Sequence, residues 1–182
     1  KSKPFALYMS WNPPHSVYSE VPEEYLNLYD KVELKSNVNL KDIHHHTGEN
    51  AARTEEEMIL TTKQYYAAVS GLDKQFGRLI DYLKENNLYD DTLIILSADH
   101  GDMMGSHGLM GKHVWYEESI RIPFVVHMPG NDNKKCCTCI GSQDMMPTVL
   151  GLLNCPIPDT VEGEDCSIFI KGEEDEERVS FI

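Results

Sequence analysis

Apolar residues recur at two different spacings along the chain, and each spacing predicts a different element. Residues 92–97 and 122–128 are short continuous apolar runs, which are typical of strands buried on both faces. Residues 4–11 form a third run and predict a buried strand close to residue 1. From about 54 to 86, apolar side chains recur every three or four residues, which predicts a long amphipathic helix. Residues 142–153 predict a shorter helix.

The sequence also predicts where the long helix begins. Thr54 and Glu57 stand at the spacing of a capping box, in which each side chain satisfies a backbone N–H of the first turn. Strands that alternate with helices favour an α/β fold with a largely parallel sheet flanked by helices. Residues 19–53 lack a clean period and predict a long irregular excursion between the first strand and this helix.

Both ends of the sequence fall inside predicted strands, because residues 178–182 read as the start of another one. Domain boundaries usually lie in exposed linkers rather than within strands. We therefore expect the fold to be incomplete and the chain to be a piece of a longer protein.

Length and composition exclude several classes of protein. A chain of 182 residues suits one domain with a core, and its formal charge of −14 argues against a nucleic-acid surface, which needs clustered cations. No apolar stretch approaches the roughly 20 residues that a membrane-spanning helix needs. The five cysteines are an odd number, so their pairing stays open.

Candidate chemistry follows two of the predicted strands. Asp99 and His100 come directly after the strand at 92–97, and His15 follows the strand at 4–11. In open α/β sheets, ligands bind beyond the carboxyl ends of the strands. A carboxylate oxygen and an imidazole nitrogen can both bind a metal. Taken alone, the pair is better explained by an aspartate that caps the next turn and a hydrogen-bonded loop histidine than by a metal site.

The surrounding sequence carries a resemblance. Residues 97–123 contain Ser-Ala-Asp-His-Gly, Gly-Ser-His-Gly, Gly-Lys and Arg-Ile-Pro, and this passage resembles the C-terminal portion of the catalytic domain of type I sulfatases, within the alkaline phosphatase superfamily. The Trp-Asn-Pro-Pro-His turn at 11–15, the long helix and the segment around 144–163 resemble the family in the same order. The resemblance implies that 1–168 is the C-terminal part of such a domain. Residues 169–182 would be an acidic turn and the start of a following strand.

The resemblance also implies roles for individual residues. Asp99 and His100 match positions that supply calcium ligands. Lys112 matches the lysine that contacts the sulfate and the leaving-group oxygen, where a compact ammonium can neutralise developing charge. His15 matches a sulfate contact that is also a candidate general acid for the departing alcohol. His113, adjacent to Lys112, is a further candidate for substrate binding.

Two parts of the family's site have no match in this sequence. The family nucleophile is a cysteine or serine in a Cys-x-Pro-x-Arg motif, converted to formylglycine, and none of the five cysteines stands in that motif. The nearest match, Cys155-Pro156-Ile157-Pro158, lacks the arginine. The upstream acidic calcium ligands are also unmatched. We therefore expect a half-site that a missing N-terminal half completes, an isolated chain without activity, and calcium binding no better than millimolar.

Three functions stay open. The first is a sulfuric ester hydrolase that removes sulfate from a sulfated sugar, glycan or other small organic sulfate, with calcium and formylglycine. The second is a phosphodiesterase or phosphonate hydrolase of the same superfamily, and the third is a catalytically inactive relative. The spacing of Lys112 after His100 favours the first. A secreted, periplasmic or lysosomal location is implied by the family alone.

Other conspicuous residues carry less weight. The triplet His44–His46 is expected to be a solvated or substrate-rim segment, and the cysteines at 136–139 a surface loop rather than a metal site. If the chain bound calcium tightly by itself, the missing ligands would have to be sought among Asp102, His107 and Glu117.

Overall fold

The computed structural model of the chain describes residues 3–35, 54–131, 134–173 and 178. The triplet His44–His46, the predicted strand at 178–182 apart from Arg178, and most of the acidic run at 173–177 lie outside the described residues.

The chain divides into two units. The first contains Lys1–Leu88 and His100–Ile122, and the second contains Tyr89–Asp99 and Pro123–Ile182. The helices of the first unit are α1 (Glu23–Leu26), α2 (Glu55–Glu85) and α3 (Glu117–Ile120); the second unit holds β1 (Ile94–Ser97), β2 (Phe124–His127), α4 (Met145–Leu152) and α5 (Ser167–Lys171). Short 3-10 turns lie at Asn27–Tyr29, Tyr89–Asp91, Ser106–Gly108 and Ser142–Asp144.

Helix α2 is the main element of the first unit and begins where the sequence predicts. Thr54 is its N-cap: the Thr54 hydroxyl accepts from the Glu57 N–H at 3.3 Å, and the Glu57 carboxylate accepts from the Thr54 N–H at 2.9 Å. The predicted capping box is thus confirmed. The apolar stripe is only partly buried, because Leu83 is 6% exposed while Val69 is 42% exposed. None of the described helices, α2 included, is both long and apolar enough to cross a membrane.

The two described strands form one antiparallel pair in the second unit. Ile94 lies opposite His127, and Ser97 lies opposite Phe124. Both strands fall within their predicted ranges, but this pair differs from the parallel arrangement expected for the sheet. The prediction of burial on both faces is also wrong here, since Val125 is 57% exposed. A two-stranded ribbon has no further strands or helices to cover both faces.

Residues 4–11 do not form the buried strand that their apolar run predicts. The segment is extended, but Phe5, Leu7 and Tyr8 are 60%, 66% and 91% exposed. A strand forms when neighbouring strands satisfy its backbone N–H and C=O groups. Both described strands belong to the second unit, so the physical reason for the difference is the lack of a pairing strand among the described residues of the first.

A buried ion pair anchors the second unit. Asp144 is 2% exposed, and its carboxylate accepts hydrogen bonds from the N–H groups of Gly141 at 2.9 Å and Glu164 at 3.0 Å. Arg178 lies 2.8 Å from Asp144 and 3.1 Å from Glu164, and also donates to the Cys139 carbonyl. These contacts connect residues 139–144 to residues 164 and 178. All five cysteines lie in the described part of the chain and are free thiols.

Candidate active site

The loop between Gly101 and His113 folds back on itself through backbone hydrogen bonds. The N–H of Met103 donates to the Gly111 carbonyl at 2.7 Å, and the N–H of Gly105 donates to the Leu109 carbonyl at 2.8 Å. Four loop residues besides Gly105 and Gly108 adopt positive φ: Met104 at 42°, His107 at 55°, Gly111 at 75° and His113 at 75°. Such conformations are costly for residues other than glycine and persist where surrounding contacts enforce them.

Gly101 sets the entry of this loop. Its N–H donates to the Ser119 carbonyl at 2.8 Å. A Cβ atom at this position would lie 2.0 Å from the backbone oxygen of Glu118, so no other residue fits without moving the backbone. The glycine that follows His100 therefore allows the loop to pack against α3.

Asp102 holds the two ends of the loop together. Its Oδ1 accepts from the N–H of Met104 at 3.0 Å and from the N–H of Gly111 at 3.1 Å. Its Oδ2 accepts from the Tyr18 hydroxyl at 2.8 Å. Burial, together with the nearby Asp102 carboxylate, raises the pKa of Tyr65. Asp102 thus serves as an acceptor for three donors, one of which lies 84 positions away in the sequence.

Lys112 and His15 meet at the end of this loop. The Lys112 Nζ lies 3.0 Å from the His15 Nε2, although the two residues are 97 positions apart. The turn that carries His15 is held by the His15 N–H, which donates to the Asn12 carbonyl at 3.0 Å. The structure therefore places in direct contact the two residues that the sequence analysis named as catalytic.

The contacts of His15 define which ring nitrogen carries the proton. Its Nδ1 lies 3.0 Å from the Ser16 carbonyl, and a carbonyl can only accept, so Nδ1 is the protonated nitrogen. An ammonium can only donate, so Nε2 offers its lone pair to Lys112. With this tautomer, the Lys112 ammonium donates to the His15 Nε2.

His100 lies near this pair, and Asp99 belongs to the other unit. The His15 and His100 rings are 6.5 Å apart, edge to face. The His100 Nδ1 lies 2.7 Å from the Gly101 carbonyl, which can only accept, so this contact places a proton on Nδ1. Asp99 is exposed and follows β1 by two residues. Their joint role as metal ligands stays a prediction.

The remaining histidines of the loop differ from each other. His107 stacks on Tyr116 with ring centroids 3.9 Å apart, and its Nε2 is 3.9 Å from the Glu118 carboxylate. This arrangement gives His107 one partner at the N-cap of α3 and one within α3. His113 is exposed at positive φ beside Lys112, and its predicted substrate contact is not tested by the structure.

The described residues do not by themselves make a calcium site. Nowhere in the described ranges do three or more histidine, cysteine or acidic side chains cluster so as to hold a metal ion. Calcium takes six to eight oxygen ligands. Asp99 and His100 would supply one carboxylate and one imidazole, and both oxygens of Asp102 already accept hydrogen bonds. The residues present fit a fraction of a calcium ligand set and not the whole.

A cleft of about 400 Å³ opens beside His15 within the first unit. Apolar and aromatic side chains cover much of its wall, among them Trp11, Tyr18 and Tyr25, and polar groups such as Gln75 contribute to it. A mixed wall of this kind suits a ligand with both apolar faces and hydroxyl groups.

Asp102 and Tyr18 are the site residues that sequence reasoning missed. The sequence names Asp102 only as an alternative metal ligand, and no pattern in it marks Tyr18. The hydrogen bond between them depends on the path of the loop between positions 102 and 111, and the spacing of apolar residues in the sequence does not predict that path. The usable signal was local: an aspartate next to a glycine-rich turn often accepts backbone N–H groups.

Comparison with known proteins yields consistent matches. The family model described as Sulfatase matches residues 1–155. The chain is similar to the Ulvan-active sulfatase of Formosa agariphila, at 34% identity over 178 residues, which is 95% of this chain and 33% of that protein. The chain spans about a third of the length of the curated relatives that it matches.

Solved structures agree with the sequence matches. The Bacteroides fragilis protein described as sulfatase yidJ superposes with a TM-score of 0.83 at 34% identity, over 96% of this chain and 38% of that chain. The phosphonate monoester hydrolase SpPMH of Silicibacter pomeroyi superposes with a TM-score of 0.62 at 32% identity, over 69% of this chain and 25% of that chain. The α/β fold of the alkaline phosphatase and sulfatase type is thereby confirmed.

Proposed function

The chain belongs to the sulfatase family, and from that premise we propose that it supplies the leaving-group side of the active site of a sulfuric ester hydrolase. The observation that carries the proposal is the 3.0 Å contact between Lys112 and His15. A cation and an imidazole at this distance can together manage the charge and the proton of a departing alcohol.

Lys112 has the central part in this mechanism. When the S–O bond of a sulfate ester breaks, negative charge develops on the bridging oxygen. The ammonium is the proton donor at hand and neutralises that charge where it forms. His15 accepts a proton at Nε2, and it becomes a donor to the alcohol only after it has taken one up. The two residues therefore form one proton-sharing unit.

The nucleophile and most of the calcium ligands are proposed to come from polypeptide outside these 182 residues. Support comes from the length relation, because the curated relatives are about three times as long as this chain. In the same proposal Asp99 and His100 contribute to the calcium site, where the metal would polarise the sulfate oxygens as a Lewis acid. The described residues alone do not carry that chemistry.

The proposed substrate is a sulfated sugar, glycan or other organic sulfate. One matched relative is named an Ulvan-active sulfatase. The cleft beside His15 has the aromatic and polar wall that suits the organic part of such a substrate. A second candidate is hydrolysis of phosphonate monoesters, which the likeness to SpPMH favours.

Replacing Lys112 by alanine tests the proposal, in the protein that carries residues 1–182 within a complete catalytic domain. We expect kcat for an aryl sulfate to fall by about 10²-fold or more, as when an oxyanion donor is removed. Lys35→Ala is the matched control and should leave kcat unchanged, because this lysine is exposed and belongs neither to the turn that carries His15 nor to the loop that carries Lys112. A loss below about threefold would remove Lys112 from the mechanism.

Substrate preference separates the alternatives. The same protein is assayed with an aryl sulfate and with an aryl phosphonate monoester that share one leaving group. A higher kcat/KM for the sulfate supports the proposal, whereas a higher value for the phosphonate favours the second candidate. Inactivity toward both, in a protein that binds calcium, would indicate a catalytically inactive relative.

A further inference from the structure

One carboxylate joins the two chain segments that carry Lys112 and His15. Gly111, whose N–H donates to Asp102, directly precedes Lys112. Tyr18, whose hydroxyl donates to the other oxygen of Asp102, follows His15 by three residues. The Asp102 carboxylate is thus hydrogen-bonded close to each member of the pair in sequence, through Gly111 on one side and Tyr18 on the other.

The loop before Lys112 needs such a connection. A lysine side chain is a flexible four-carbon stem, which does not by itself fix where the ammonium lies. The position of the lysine backbone therefore limits where the ammonium can reach. Gly111 and His113, on either side of Lys112, both have a φ of 75°, which is an unfavourable conformation for His113. The N–H groups of Met104 and Gly111 both donate to Asp102, and these two hydrogen bonds hold the two arms of the loop at a set distance.

We propose that Asp102 is a positioning residue, which sets the distance between Lys112 and His15 by holding Gly111 with one oxygen and Tyr18 with the other. The proposal rests on the proposed function for the meaning of that distance. It assigns to Asp102 no contact with substrate and no metal. Tyr18 is the partner through which the loop is tied to the turn that carries His15.

The choice of variants separates positioning from charge. In Asp102→Asn the side-chain oxygen still accepts from both N–H groups, and the amide nitrogen can donate to the Tyr18 hydroxyl, while the negative charge is lost. In Asp102→Ala all three bonds are lost. Tyr18→Phe removes only the bond to Oδ2. Positioning predicts that asparagine rescues the alanine defect, whereas a purely electrostatic role predicts that it does not.

Kinetics of the complete catalytic domain give the first readout. A misplacement of about 1 Å in an active site can cost about 10²-fold, so we expect Asp102→Ala to lower kcat with an aryl sulfate by that order, with little change in KM. Asp102→Asn should recover most of the loss, and Tyr18→Phe should lie between the two. Asp81→Asn and Tyr8→Phe, both at exposed positions, are the matched controls and should behave as the parent.

A double-mutant cycle asks whether Asp102 acts through Lys112. If it does, Asp102→Ala should cause little further loss in a Lys112→Ala background, because the group that it positions is already gone. If the double variant loses activity by the product of the two single losses, the proposal is wrong. It is also wrong if Asp102→Asn is as defective as Asp102→Ala.

Hydrogen exchange gives a readout that does not depend on activity. In Asp102→Ala the amides of Met104 and Gly111 should exchange faster, and in Asp102→Asn they should stay protected. Unchanged exchange in the alanine variant would overturn the positioning role whatever the kinetics. If exchange responds as expected but Lys112→Ala leaves kcat intact, the proposed function fails and the Asp102 connection stands.

Discussion

Replacing Asp144 by alanine should open the second unit locally. The carboxylate is 2% exposed and accepts from two backbone N–H groups and from Arg178. Removing one partner of a buried ion pair leaves the other charge uncompensated and costs about 3–5 kcal/mol. Arg178 would keep Glu164, at 3.1 Å, but that carboxylate is 76% exposed and compensates only in part. We therefore expect a loss near the lower bound, about 3 kcal/mol.

Hydrogen exchange of the purified protein measures this loss where it occurs. A cost of about 3 kcal/mol corresponds to a rise of roughly 10²-fold in the opening equilibrium, and the amides of Gly141 and Glu164 should exchange faster by that factor. Asp159→Ala, at an exposed aspartate of the same unit, is the control. A change in exchange below about threefold for Asp144→Ala would refute the assignment of this ion pair as an anchor.

Acid should have a similar effect on the wild-type protein. Burial alone raises the pKa of Asp144, but the N–H groups of Glu164 and Gly141 and the Arg178 guanidinium outweigh it, and the net pKa lies below the usual value. A carboxyl whose pKa is lowered by folding contributes stability above its unfolded pKa, and that contribution is lost as pH falls through the folded pKa. Local opening around residues 141–164 should therefore increase at acid pH, and Asp144→Ala should abolish this part of the pH dependence.

Two further predictions concern metal binding and the loop entry. Titration calorimetry of the 182-residue chain should give calcium binding no tighter than about 1 mM, because the chain offers few oxygen ligands; micromolar binding that Asp99→Ala abolishes would contradict the half-site. Gly101→Ala should lower the free energy of unfolding by roughly 2 kcal/mol or more, because its Cβ would overlap the Glu118 carbonyl. Gly77→Ala is the matched control, because apart from its chain neighbours and the backbone of its own helix no atom lies within 4 Å of the Cβ position, and it should raise stability by about 0.5–1 kcal/mol. Equal thermal shifts for both variants would contradict the steric argument.

Local signals predicted the helices better than the sheet. The capping box and the apolar period place α2 at 54–86, and the structure has it at Glu55–Glu85. Both signals act between residues three or four positions apart, so they need no tertiary context. The run at 4–11 is as apolar as the other two, but whether it forms a strand depends on pairing with residues elsewhere, which its own composition does not determine.

Some residues of the candidate site are also predictable from the sequence, and others are not. The family resemblance names Lys112 and His15, and the structure brings them into contact. Asp102 and Tyr18 depend on the shape of a loop with several positive φ angles. Those angles are set by hydrogen bonds within the folded loop, so a motif that marks residue types does not indicate them.

The division of the chain into two interleaved units has a consequence for making shorter forms of the protein. The boundaries fall at three places, after Leu88, after Asp99 and after Ile122. A fragment ending at Ile122 would contain every residue of the first unit, and also β1 without β2. In that fragment the backbone N–H and C=O groups of β1 would face solvent along the edge that β2 covers in the full chain. An unpaired edge of this kind promotes association between chains. Deleting residues 89–99 from such a fragment, and joining Leu88 to His100 by a flexible linker, would remove that edge while keeping the segments that hold His15, Asp102 and Lys112.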